Sequence, residues 1–323
     1  MKMNNRVYGV VAIRSIMANW NADFSARPKS ISNGTIFGSD KAFKYPIKRM
    51  WLAAGEKVLA IKSYKISAKT KNDDEAGKLQ PRDLQERYEQ IFNTAINDKT
   101  SAKEVLKNLF SAIDVMNFGV TFAERKQNIS ITGAVQVGQG FNKYTETQIE
   151  TQEILSPYRN SSEKREDATA STVGSKIVTD EAHYFYPVAV NPGNYLEYLD
   201  LDIESFEGYT KEAYNKFKQG CLVAATAFHT NSKNGSENEF ALFVTCKENS
   251  ELYLPNLDRY VEFSKKNGRN TISLVKVADL LKGLEVNIDN IEVYYNPVDT
   301  DIEFGSLSCK KFDLFGRAIA KKS

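Results

Sequence analysis

Cysteine, histidine and long apolar runs are all scarce in this chain. Its three cysteines, Cys221, Cys246 and Cys309, are odd in number and widely spaced over 323 residues, which excludes a disulfide framework. They read as reduced thiols acting as small buried hydrophobes. The two histidines, His183 and His229, form no CxxC, HExxH or other close cluster with cysteine, so no metal site is expected. Each reads as a packed or hydrogen-bonded histidine rather than a general base. There is no P-loop and no GxSxG, and Gly138-Gln139-Gly140 lacks the third glycine and the helix of a dinucleotide fingerprint, so no cofactor is expected. Asp200, Asp202 and Glu204 read as a solvated acidic loop. No segment approaches the roughly 18 apolar residues of a membrane span, and residues 1–11 lack the apolar core of a signal peptide, so the expectation is a cytoplasmic protein with no membrane partner.

With 41% hydrophobic and 26% charged residues the composition is globular, with room for one large or two ordinary domains. The net charge of +2 conceals a segregation: residues 1–71 hold 14 Lys and Arg against three Asp and Glu, so the other 252 residues carry −9. Uniform solubilising charge does not separate in this way. A polyanion-binding surface does, because each phosphate neutralised releases counterions, and nucleic acid becomes the leading partner class. The alternative is a solvated basic face balanced by an acidic one.

Local patterns give the order of elements. Residues 6–16 are β-branched and almost uncharged, as a buried central strand requires. Residues 17–37 are irregular and rich in Asn, Ser and Gly, a length usually kept for function. Ser39 and Asp40 can cap a helix reaching about Ala54 and closed by Gly55, with a bend or break expected at Pro46. Residues 57–67 read as a second strand. Leu84, Tyr88, Ile91, Phe92, Ala95 and Ile96 form one helical stripe, and Val105, Leu106, Leu109, Phe110 and Ile113 another, opened by a Ser101-x-x-Glu104 capping box. The period then changes to two, predicting a hairpin over residues 118–137. Residues 138–182 are long and polar apart from an apolar island at Ile154, Leu155, Pro157 and Tyr158. A helix over 210–228 and strands over 239–246, 271–277 and 290–295 follow. The order suggests an α+β ferredoxin-like (RRM-like) sheet with two large excursions. The stacking aromatics of the standard RNA-recognition motif are missing, so any RNA contact must come from loops, helix ends and insertions. Lys44 and Lys48, four apart on the first helix with Arg49 adjacent, can bridge neighbouring phosphates.

Four segments resemble one family. Asn19-Trp20-Asn21-Ala22-Asp23 running to Arg27-Pro28, Gly38-Ser39-Asp40 followed by Lys44 and Lys48, Ile131-Thr132-Gly133-Ala134-Val135-Gln136, and Asn231-Ser232-Lys233-Asn234-Gly235 occur in the order found in the repeated backbone subunit of type I CRISPR Cascade complexes. The likeness is strongest to its subtype I-B form, within the RAMP superfamily. Ala134 stands where the family has Pro, and Asn231 where it has Arg.

The resemblance implies a modified ferredoxin-like palm (residues 1–67, 114–141 and 183–323), helical fingers (68–113) and a thumb (142–182). It implies a noncatalytic subunit that stacks with further copies of itself along CRISPR guide RNA, beside other Cascade subunits, and presents the guide to target DNA. The RNA contacts it implies are Arg14, Asn19, Asn21, Arg27, Lys29, Lys44, Lys48, Arg49, Gln136, Lys143, Ser232 and Lys233. Ile154, Leu155, Pro157 and Tyr158 would wedge beside a displaced base. The competing reading is a type III-like subunit that cuts target RNA through Asp23; the same carboxylate could instead anchor its loop by hydrogen bonds.

Overall fold

The computed structural model describes residues 1–67, 77–155 and 173–319. Strand β1 (Asn5–Ala18) has Val10, Val11 and Ala12 fully buried, so both of its faces are covered. A loop leads to the short β2 (Phe37–Gly38) and helix α1 (Asp40–Ala53). Ser39 caps α1 by accepting from the Ala42 N–H. At the other end Gly55, at φ +83°, allows its own N–H to reach the Leu52 carbonyl while the Glu56 N–H reaches that of Trp51. The break that Pro46 was expected to allow does not occur: α1 is one helix. Pro46 lies on its buried face with Phe43, Ile47 and Trp51, and burial of those rings outweighs the roughly 3 kcal/mol an internal proline costs.

Residues 57–67 are not a strand throughout. Only β3 (Tyr64–Ile66) is, paired with β4 (Leu79–Pro81) as a separate ribbon. Val58, Leu59 and Ile61 are buried, but the Leu59 and Ala60 N–H groups donate to the buried Asp114 carboxylate at 2.8 Å instead of to a neighbouring strand. Helices α2 (Leu84–Phe92), α3 (Ala102–Ser111) and α4 (Ile113–Phe118) follow. Ala95 and Ile96 fall beyond α2, which stops where Asn93 turns left-handed at φ +51°. Ser101 does cap α3, but the reciprocal capping box lies at Asp83 and Glu86.

The predicted hairpin forms from β5 (Gly119–Phe122) and β6 (Ile129–Thr132), whereas β7 (Val135–Val137) leaves it for the main sheet, where β8 (Gly140–Asn142) joins it. Then come β9 (Ile149–Leu155), β10 (Val173–Val190), α5 (Leu196–Leu199), α6 (Lys211–Val223), β11 (Ser236–Glu248), β12 (Glu262–Lys266), β13 (Arg269–Ser273), α7 (Val275–Leu281), β14 (Ile288–Tyr295), β15 (Thr300–Glu303) and β16 (Lys310–Phe312). Two expectations are corrected here. The helix expected to reach residue 228 ends at Val223, and the strand expected over 271–277 ends at Ser273, because Val277 and Leu281 are buried at helical spacing on α7.

The main sheet runs β16-β14-β11-β1-β10-β8-β2, with β7 and β9 also on β10. β1 pairs antiparallel with β10 on one side and β11 on the other. Its alternation divides two cores: Val7, Val11 and Ile13 pack with α1 to α4 and α6, while Val10 and Ala12 pack with Leu257, Ile272 and the buried face of α7. The result is a mixed α/β fold.

Candidate nucleic-acid interface

The first loop is tied down at its start. Asn19 is buried; its N–H donates to the Ser232 carbonyl at 2.8 Å, and its Nδ2 to those of Ala26 and Ile177 at 3.0 and 3.1 Å. Backbone and side chain of Asn19 together thus join the loop to the Ser232 segment and to β10. Trp20, also buried, donates from Nε1 to the Tyr186 hydroxyl at 2.6 Å, and burial raises the pKa of that hydroxyl. Gly38 fits against both rings, where a Cβ would collide with the Tyr186 hydroxyl and lie 2.7 Å from Trp20 Cδ1. Asn21 Oδ1 accepts from the Ser39 N–H at 2.7 Å, which joins the loop to the start of α1.

Asp23 is exposed, and its Oδ1 accepts from the Ser25 N–H, the Ser25 hydroxyl and the Arg27 N–H at 2.8, 2.8 and 3.0 Å. The Ser25 hydroxyl, followed by the backbone donors, lowers its pKa. These bonds close a tight turn, as an anchor would, and leave Phe24 and Arg27 exposed at its rim.

The basic residues divide by direction. Lys44 and Lys48 share a stripe, but it faces the protein. Lys44 pairs with Asp40 at 3.0 Å and lies over the Phe118 ring, while Lys48 donates to the Ala60 carbonyl at 2.9 Å and burial lowers its pKa. Lys41 and Arg49 point to solvent, and Lys29 is half-buried. Arg14 is held by Glu237 at 2.6 Å and Asp299 at 2.8 Å; burial opposes its charge, but those carboxylates outweigh burial and raise its pKa. Lys143 donates to the Asp258 carbonyl at 2.8 Å, with burial lowering its pKa. Gln136, exposed on β7, donates to the Gly133 carbonyl and sits opposite Ala189, about 33 Å along β10 from Thr179 beside the first loop. Asn19, Asn21, Arg27, Lys29, Ser232 and Lys233 are therefore brought together with the start of α1. Arg14, Gln136 and Lys143 are not part of that group.

Lys233 is the pivot of the turn. Its ammonium donates to the carbonyls of Asn19 and Trp20 and lies 5.0 Å from the centre of the Trp20 ring. Burial pulls its pKa down to about 8. Next to it opens a groove of about 550 Å³ lined by Met17, Lys176, His229, Thr230, Asn231 and Asn234. Of these residues Met17, Lys176, His229 and Thr230 escaped sequence reasoning, and His229, expected to be packed or hydrogen-bonded, is exposed. The one local signal was the run of Thr, Asn and Ser before Gly235.

β9 is exposed along its whole length and pairs with residues 173–179 of β10, beyond the end of β1 opposite Thr179. Ile154 and Leu155 are 45% and 71% exposed on it; Pro157 and Tyr158 lie outside the described residues. Among the described residues no group of three or more His, Cys, Asp and Glu could hold a metal ion, and no helix is long and apolar enough to cross a membrane.

The family described as CRISPR-associated protein Cas7 matches residues 5–280. The chain belongs to the Cas7 family. No curated protein sequence matches this Cas7-family chain. Among solved structures it is similar to a chain of a "CRISPR RNA-guided surveillance complex, pre-nicking", with a TM-score of 0.56 at 14% identity over 91% of this chain and 94% of that one. A chain of a second "CRISPR RNA-guided surveillance complex" gives 0.46 at 14% identity over 90% and 91%. The first likeness establishes a shared fold.

Proposed function

We propose that this Cas7-family chain is the guide-RNA-binding backbone subunit of a type I CRISPR surveillance complex, of the subtype I-B kind. Copies polymerise along the guide beside other Cascade subunits in the cytoplasm and present it for pairing with target DNA. The observation that carries this reading is the convergence of the first loop, the start of α1, the 230–235 turn and the base of the β9–β10 hairpin on Asn19, Trp20, Asn21 and Lys233. That convergence leaves exposed cations, Arg27, Lys41 and Arg49, on the loop and helix around it.

The spatial order β11-β1-β10-β8, with α1 following β1 and α6 joining β10 to β11, supports a ferredoxin-like, RRM-like palm. We assign fingers to 68–113, a thumb to 142–182 and the palm to the rest. In this reading Ile154 and Leu155 meet a displaced base, and the subunit is noncatalytic, with Asp23 Oδ1 closing its own turn as an anchor. The test is binding to single-stranded RNA of several unrelated sequences across a salt series. Arg27→Gln and Arg49→Gln should each weaken all sequences alike and reduce the logarithmic salt slope by about 0.7 for each phosphate no longer neutralised. Unchanged slopes for both variants would refute the interface.

A further inference from the structure

We propose that Lys233 is a positioning residue: its ammonium staples the backbone of Asn19 and Trp20 to the 230–235 turn, presenting the loop's exposed cations to RNA without touching phosphate itself. This rests on the guide-RNA reading and assigns a role within the same site.

An ammonium has three donors. Two of those on Lys233 are taken by the consecutive carbonyls of Asn19 and Trp20, and the Trp20 ring lies 5.0 Å away. Both donations turn the head inward under the loop, and burial alone lowers its pKa to about 8. The turn that carries it is itself fixed. Its Gly235, at φ +104°, accepts from the Ile16 N–H, the Lys233 N–H donates to the Thr230 carbonyl, and Ser236 donates back to Lys233.

What the staple holds is the rest of the loop. Trp20 is pinned at its far side by Tyr186, Asn19 reaches Ala26 and Ile177, and Asn21 carries the constraint to the Ser39 N–H at the cap of α1. The half-buried Lys233 cation, with the Asn19 N–H bond to Ser232, therefore fixes where Arg27 and the start of α1 point. Removing its donors leaves two carbonyls unpaired and leaves the loop tied to the turn by the Asn19 N–H alone.

Lys233→Met keeps the stem over Trp20 and deletes the donors. In a Trp51→Phe background, which leaves Trp20 as the sole indole, the RNA-free variant should show a shifted Trp20 emission and about tenfold faster hydrogen exchange at residues 19–38, with the rest of the protein protected as before. Its RNA affinity should fall about tenfold or more with a wild-type salt slope. A slope reduced by about 0.7 with unchanged loop exchange would overturn the staple and make Lys233 a phosphate ligand. Calorimetry on the wild type, in buffers of different ionisation enthalpy, decides the matter even where the variant does not fold. A phosphate contact would raise the buried ammonium's pKa and take up more protons on RNA binding at pH 8 than at pH 7, whereas the staple takes up no more. A protein that bound no RNA at any salt would sink the guide-RNA reading, leaving loop exchange and Trp20 emission to decide the staple.

Discussion

Replacing His183 with glutamine would test charge sealed inside the sheet. His183 is fully buried on β10, with Nδ1 2.7 Å from Glu239 Oε2 and Nε2 2.9 Å from Glu181 Oε1. A neutral imidazole donates from only one nitrogen, so a ring facing carboxylate oxygens at both is held as imidazolium. Burial pushes its pKa down, but the Glu239 charge and the two hydrogen bonds outweigh burial and raise it. Phe263 of β12 stacks on the ring at 4.0 Å, and Asn270 of β13 donates to Glu239 at 2.9 Å, so the network joins the small sheet to the large one. His183→Gln would leave the Glu239 side chain, 1% exposed, without its cation. Breaking a buried pair in this way costs about 3–5 kcal/mol. At about 2–4 °C per kcal/mol for a large domain, the midpoint should fall by about 10 °C.

The pH dependence has a definite sign. A histidine whose folded pKa is raised contributes fully below its unfolded value, about 6.5, and the contribution is lost as pH climbs through the folded value. The Glu181 carboxyl, drawn down to about 2 chiefly by His183, contributes above its unfolded value of about 4.3 and is lost as pH falls toward 2. The gap between wild type and His183→Gln should therefore be widest between about pH 4.5 and 6.5 and should narrow on the alkaline side. Urea unfolding of both proteins from pH 4 to 10 measures it. A gap below about 1 kcal/mol, or one that widens above pH 7, would show that the ring is neutral and the reasoning wrong.

Four further outcomes are expected. Gly38→Ala drives a methyl into the Tyr186 hydroxyl and Trp20, so it should cost about 1–3 kcal/mol and alter near-ultraviolet circular dichroism; a silent substitution would contradict the close approach. Lys48→Gln should leave the RNA salt slope at its wild-type value and cost about 1 kcal/mol in denaturant titration, because its ammonium serves the Ala60 carbonyl; a slope reduced by about 0.7 would place it on phosphate instead. Ile154→Ser with Leu155→Ser should change stability by less than about 0.5 kcal/mol per site and diminish assembly on RNA seen by light scattering; unfolding would mark them as core. Wild-type assemblies on a guide should leave complementary RNA uncut with magnesium or manganese; cutting that Asp23→Ala abolishes would establish the enzyme reading.

Local chemistry made much of the fold readable. β1, the Ser39 cap, the Gly55 stop and the β5–β6 hairpin each depend on residues within a few positions of one another. Residues 57–63 show where that ends. A continuous apolar run reads alike whether it pairs with a strand or is buried as irregular chain, and its partner here is Asp114, more than 50 positions away. The basic segment shows the same limit at the site. Its charge excess was countable, and the spacing of Lys44 and Lys48 put them on one stripe, but packing of α1 against Phe118 and Ala60 turns that stripe inward. Arg14 is likewise basic by count and internal by contact. The anchoring role of Asp23 was readable because its partners are two and four residues on.

β10 belongs at once to the interior and to the projecting arm: residues 173–179 pair with β9, and Thr179 onward pairs with β1 as far as Val190. No hinge separates the two parts, so the arm inherits its direction from the twist of the sheet. A pull along the arm loads the β1–β10 ladder lengthwise, in shear, and its hydrogen bonds must give way together rather than peel apart in turn. A ribbon anchored in this way can bear tension along its length while the sheet behind it keeps its shape.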